Sequence, residues 1–388
     1  MPGSVRARWV VAAVGVVLVA GIVVAVWPQR APARDPEIAI SRSACGQGWT
    51  DPRPGAQTFT LRNTGSVTSE VDLIDPGTGV VYGEVEGLGA GTTRPLPVTL
   101  GNGQYAFRCL PDDAPAIIGP ASTVRGGAER GPGVAAVTTG DLLQPLKAYQ
   151  AHVSHGLDQL VADLAPVEDA VHRGDRDGAE AAWLTAHLTY ERLGAAYDAF
   201  GDSDGALNGT TDGLPGGVTD PGFTGFHRLE HGLWHGEDLG ALGAVADQLD
   251  RDAHTLRESF AQSQVDPNDL GLRAHEIVEN ALQFELTGRT DYGSGTNLAT
   301  ARANLDGVQA VLDVLRPVLA PRFPQLPTVD RWMKRTEAAL DGARGGDGRW
   351  TPVGQLSPPQ RRKVNGEVAE LTEQLAPIAA IAEPRRTS

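Results

Sequence analysis

The sequence is short of positive charge. Its 388 residues carry 33 Lys and Arg against 48 Asp and Glu, a formal net charge of −15. Nucleic-acid binding wants a basic face, so this balance argues against a nucleic-acid partner. It suits a protein that handles cations, although acidity also serves solubility. Cysteine is scarcer still: Cys45 and Cys109 are the 2 present. Neither follows the N-terminal apolar run closely, which excludes lipid attachment there. A P-loop, a Rossmann fingerprint and a Gly-x-Ser-x-Gly elbow are all missing. Asp202-x-Asp204 hints at a calcium loop, yet the twelfth position, where an EF-hand needs glutamate, is Gly213. A solvated loop over 201–224 is the expectation. No close internal repeat is present.

What is there begins at the N-terminus. Arg6 and Arg8 precede an uncharged run of 19 residues from Trp9 to Trp27. That run is long enough to span a membrane and long for the apolar part of a signal peptide. The early arginines predict a cytoplasmic N-terminus with the remainder outside; Arg30 and Arg34 weaken the asymmetry, and Asp35 partly offsets them. Cleavage near Ala31-Pro32-Ala33 is the competing reading. Residues 1–36 are therefore expected to be a membrane anchor or signal segment with a linker. The rest is placed in the periplasm or on the outer face of the cell membrane. In an oxidising compartment an even pair of cysteines reads as a disulfide, Cys45 to Cys109.

The chain length suggests two or three domains. From 37 to 125 the pattern is β. Thr58–Leu61, Val71–Ile74, Val80–Tyr82 and Gln104–Cys109 are rich in β-branched and aromatic residues, and Gly, Pro, Asn and Asp punctuate them. Short strands at regular spacing imply a small all-β sandwich. Gly103 to Cys109 resembles the closing strand of cupredoxins. A blue-copper centre needs two His and one Cys with a weak axial ligand, and this segment has neither His nor Met. The expectation is a cupredoxin-like fold without that copper site. Residues 126–139 are Gly/Ala/Pro-rich and read as a linker. From 140 to 388 apolar residues step by three or four: Leu142, Leu146, Tyr149, Val153, Leu157, Leu160 and Leu164 on one helix, Trp183, Ala186, Tyr190, Leu193, Tyr197 and Phe200 on another. Further helical patterns cover 225–236, 239–263, 269–287, 297–318, 328–344 and 357–381. Pro166, Pro267, Pro321, Pro324, Pro327 and Pro358-Pro359 stand at expected boundaries. The second domain is read as an all-α bundle of eight helices.

All 9 histidines lie in that helical part, between His152 and His275. Three fall in Gly225-Phe226-His227-Arg228-Leu229-Glu230-His231-Gly232-Leu233-Trp234-His235. Positions 227, 230, 231, 234 and 235 share one side of a helix. Imidazole and carboxylate one turn apart suit a metal of intermediate hardness. His187 and Glu191 are likewise one turn apart, flanking an apolar stripe, and an intrahelical His–Glu pair explains them equally well. His275, Glu276 and Glu279 form a second candidate cluster. It is not a zincin motif, because the final position is Glu279.

Gly225-x-His227-x-x-Glu230 matches the motif of the imelysin-like family. Trp183 through Glu191-Arg192, Gly194-Ala195-Ala196-Tyr197, Ala274-His275-Glu276 and Gly293 to Leu298 are similar to its other blocks. A cupredoxin-like domain ahead of an imelysin-like one resembles the EfeO-type components of the extracytoplasmic Efe iron-uptake system. The resemblance implies two related four-helix bundles. It also implies metal binding through His227 and Glu230, with a carboxylate placed here at Glu191. The ion would be iron, as Fe2+ or Fe3+, with zinc and copper also acceptable to such ligands. Partners would be an iron permease and a haem peroxidase of the same system. Glu237 and Asp238 stand nearby and would assist capture. The runner-up function is a zinc metallopeptidase of inverzincin type, with His227 and His231 as ligands, Glu230 as general base and Glu279 as a third ligand. Nothing marks an oxyanion stabiliser, and Gly232 and Gly236 make a poor rigid platform. A non-enzymatic binding protein is the expectation.

Overall fold

The computed structural model describes residues 37–387 apart from 51, 128, 264 and 347. The expected anchor or signal segment, 1–36, lies outside the described residues. Among them no helix is long and apolar enough to cross a membrane.

The N-terminal part is built of strands β1 (Glu37–Ser41), β2 (Ala44–Gln47), β3 (Gly55–Asn63), β4 (Ser69–Ile74), β5 (Val80–Leu88), β6 (Thr93–Leu100), β7 (Gly103–Pro111), β8 (Ile117–Ile118), β9 (Ser122–Val124) and β10 (Val134–Ala135). One sheet runs β2-β1-β3-β6 and the other β10-β5-β4-β7-β8, with β9 also paired to β7. Ile38, Phe59 and Leu96 of the first sheet share one core with Val71, Leu73 and Phe107 of the second. Cys45 on β2 and Cys109 on β7 are joined in a disulfide that ties the two sheets. All four strands read from the sequence are present. β6 escaped notice because Pro95 and Pro97 interrupt it; it survives as an edge strand paired only to β3, where a missing N–H costs no ladder bond. β10 comes from the stretch read as a linker.

The helical part comprises α1 (Thr139–His172), α2 (Arg176–Glu191), α3 (Tyr197–Phe200), α4 (Asp202–Asn208), α5 (Gly225–Trp234), α6 (Leu239–Phe260), α7 (Asp269–Asn280), α8 (Asn297–Leu319), α9 (Leu326–Asp341) and α10 (Pro358–Ala382). The two beyond the eight expected are the short α3 and α4. The stretch expected as a solvated loop therefore opens with a helix, anchored by the buried Leu207. Pro166 does not end α1 as expected. Interior proline costs about 3 kcal/mol, but Leu164, Val167, Ala170 and Val171 are buried around it and hold the last turns in place. Their burial, at roughly 1.5–3 kcal/mol for each large side chain, outweighs the lost bond.

The two parts touch through the chain's C-terminal end. Arg385 pairs with Glu84 of β5, and Arg322 donates to the carbonyls of Ala135 and Ala136. The outer face of the second sheet is thereby closed over Asp72, which is fully buried and held by Arg108 at 2.7 and 2.9 Å.

Candidate metal-binding site

α1 and α2 form a hairpin that delivers Glu191 to the end of α2. Trp183 fixes the next helix, its indole N–H donating to the Phe226 carbonyl at 3.0 Å. α5 starts abruptly at Gly225, whose φ is +73°. A Cβ there would stand 2.1 Å from the Leu207 carbonyl oxygen. The motif's glycine is thus a steric requirement: only Gly lets α4 and α5 close together. That closure sets His227 on the first turn of α5, facing α2.

His227 and Glu230 are both buried. Nδ1 of His227 lies 3.2 Å from Glu230 Oε2. Glu230 Oε1 accepts from the Tyr292 N–H and the Ser294 N–H, each at 3.1 Å, and from the Ser294 hydroxyl at 2.6 Å. Burial pushes its pKa up, but His227 and the Ser294 donors outweigh this and hold it below the usual range. Glu191 accepts from Asn208 at 2.8 Å and Asn304 at 2.7 Å. Here too burial raises the pKa, and contact with His187 and the two amides brings it net below the ordinary value.

A further carboxylate, Glu285, escaped the sequence reading. α7 runs into a widened π-type turn, Ala281–Glu285, that turns this side chain inward. Glu285 accepts from Thr290 at 2.7 Å and Asn297 at 2.8 Å. Burial, reinforced by the charge on Glu191, pushes its pKa up to about 7. The sequence signal was faint: Leu282, Phe284 and Leu286 slip to a spacing of two within a helical pattern.

Glu191, His227 and Glu285 line one cavity of about 350 Å³, with Asn208, Tyr292 and Asn304 among its walls. Glu230 does not line this cavity and borders a separate small void of about 10 Å³ instead. No three of these His and Glu side chains bring candidate ligand atoms within 4.8 Å of one another. Elsewhere among the described residues, triads within 4.8 Å occur at Glu168/His172/Asp247 and at Glu70/Asp72/Glu84.

The other sequence candidates are placed differently. His275 meets the Thr372 carbonyl at 3.0 Å and Glu279 at 3.7 Å, whereas Glu276 reaches the cavity wall and pairs with Arg273. His231 turns away from His227. It stacks on His235 with centroids 4.2 Å apart and meets Glu237 at 3.2 Å. Glu237 is further engaged by Arg228, and Asp238 caps α6.

Residues 145–378 match the imelysin family, peptidase family M75. The chain belongs to the imelysin family. It is 27% identical over 353 residues to the iron uptake system component EfeO of Escherichia coli strain K12, covering 89% of this chain and 90% of that one. The same figures hold for the protein of that name from E. coli O157:H7. The one from E. coli strain CFT073 is 30% identical over 237 residues, 61% of this chain and 63% of that one. Within the imelysin match fall Glu191, His227, Glu230 and Glu285 alike.

Proposed function

We propose that this protein is the extracytoplasmic iron-binding component of an uptake system. It holds its cargo ion in the cavity between α2, α5 and the π-turn and passes it to a membrane permease, alongside a haem peroxidase. One observation carries the reading. Glu191, Glu230 and Glu285 are three carboxylates packed within one region, and none has an Arg or Lys partner among the described residues. Desolvated carboxylates without a counter-cation are costly. A bound cation supplies the missing charge. The relatives named as iron uptake components favour iron, and a mixed imidazole and carboxylate set accepts it.

In this reading His227, Glu191 and Glu285 contact the ion. Glu230 serves His227: an imidazole whose Nδ1 donates to a carboxylate presents a bare Nε2 to a metal. The disulfide and the N-terminal apolar run support an oxidising, extracytoplasmic location. The peptidase reading requires His231 to join His227 on one ion. The turn of His231 towards Glu237 and His235 supports the binding protein instead. Anaerobic Fe(II) titration tests this: His227→Ala abolishes tight binding and His231→Ala changes it less than threefold. Equal losses in both variants, with cleavage of a peptide by the parent, would establish the peptidase.

A further inference from the structure

His187 is buried, and neither ring nitrogen has a hydrogen bond. An orphaned buried imidazole is expensive and calls for a partner. Its Nε2 lies 3.2 Å from Glu191 Oε1, yet the two do not meet in hydrogen-bond geometry. Two ligands on one ion, with bonds of about 2.1 Å opening at roughly 100°, stand about 3.2 Å apart. The ring is braced by Trp183, stacked at 4.7 Å and 26°. It stands edge-on to His227 with centroids 5.6 Å apart. Two imidazoles sharing an ion have centroids roughly 5–6 Å apart, given that bond length; the ligand atoms of His187, Glu191 and His227 do not all fall within 4.8 Å of one another, so an ion would have to draw them together. His187 also lines a small void of about 10 Å³, room for about one water. Asn297, whose Oδ1 is also unpartnered, borders that void, and Glu285 lines both the void and the larger cavity.

We infer that His187 is a second imidazole ligand of the ion held by Glu191 and His227, reaching it from the side of the small void. This rests on the cavity reading above. The 3.2 Å approach to Glu191, an intrahelical pair in the metal-free protein, would then become one edge of the coordination sphere. The inference changes the chemistry offered: two nitrogens and two carboxylates make a more nitrogen-rich seat than the motif alone provides, which favours a divalent ion of the later first row or Fe(II) over a hard trivalent one.

The test is X-ray absorption spectroscopy of the full chain loaded with Fe(II) without oxygen, where multiple scattering counts imidazoles. Two are expected in the parent protein; one overturns the inference, leaving a water to fill the void. His187→Gln should reduce the count to one and weaken Fe(II) binding tenfold to hundredfold. An unchanged count and affinity in that variant also overturns it. Thermal unfolding of the metal-free variant checks that it folds, and the parent's count stands whether or not it does. If the parent binds no Fe(II), or His227→Ala binds it as tightly, the cavity reading itself fails.

Discussion

Glu230→Gln separates the two jobs a buried carboxylate can do. The glutamine carbonyl can still accept from the Tyr292 N–H, the Ser294 N–H and the Ser294 hydroxyl, so that side of the site survives. The amide nitrogen then faces His227 Nδ1, 3.2 Å away in the parent. An amide N–H donates, so Nδ1 must accept and the ring proton moves to Nε2, the atom that faces the ion in the proposed site. Loss of an orienting partner of this kind costs about tenfold to hundredfold in affinity, or roughly 1.4–2.7 kcal/mol. Metal-free stability should fall modestly, because a carboxyl whose pKa is lower folded than unfolded contributes stability at neutral pH that the amide lacks. The assay is paired: anaerobic Fe(II) calorimetry on the folded variant and thermal unfolding of its metal-free form. Weaker binding with a modestly lowered melting temperature is the expected signature. Affinity within twofold of the parent would refute the orienting role of Glu230.

Three further outcomes follow from the same geometry. The Glu285 carboxyl, with its pKa pushed up to about 7, must lose its proton to bind a cation, so affinity should rise with pH and level off above about 7; Glu285→Gln should flatten that rise, and a parent profile flat between pH 5.5 and 7.5 would sink the argument. The sign for metal-free stability is opposite: a carboxyl whose pKa is higher folded than unfolded binds its proton more tightly when folded, so up to about 3 kcal/mol is lost as pH rises from about 4.5 through 7, readable in urea unfolding. Gly225→Ala sets a Cβ 2.1 Å from the Leu207 carbonyl at a positive φ and should destabilise by at least about 2 kcal/mol in chemical denaturation, with Fe(II) binding lost alongside. Thiol titration of the denatured, unreduced protein should find no free thiol, and breaking the Cys45–Cys109 loop of 64 residues should cost the β part about 4 kcal/mol by loop entropy.

Local patterns were enough for much of the fold and failed where tertiary packing took over. Strands with β-branched and aromatic runs announced themselves; β6 did not, because its two prolines are tolerable only at a sheet edge, and edge position is not a local property. Pro166 shows the same limit. A single-sequence reading stops a helix there, but the apolar residues on either side pack into the core and carry α1 through to His172. At the site, His227 and Glu230 were legible because both sit on one turn of α5. What Glu230 does was not, since its partners Tyr292 and Ser294 lie more than sixty residues onward. Glu285 was hidden by a π-turn that breaks the 3.6-residue period, the one cue by which its facing could have been read.

The cradle around these carboxylates bears on why a carrier would be built this way. Asn208, Asn304, Asn297, Thr290, Ser294 and the Tyr292 N–H are neutral donors. Each orients an oxygen while leaving its charge in place. An arginine in the same position would neutralise the carboxylate and would have to be displaced by every arriving ion, at a cost of several kcal/mol for a buried pair. The two arginines that do border the cavity, Arg273 and Arg289, are committed to Glu276, Asp198 and Asp212 at its rim. The floor therefore keeps negative charge that only His187 and His227 meet from within the described residues, and that a bound cation would satisfy. Burial first, and the Glu191 charge second, raise the Glu285 pKa to about 7, so in the proposed site this group would take up a proton when the ion leaves.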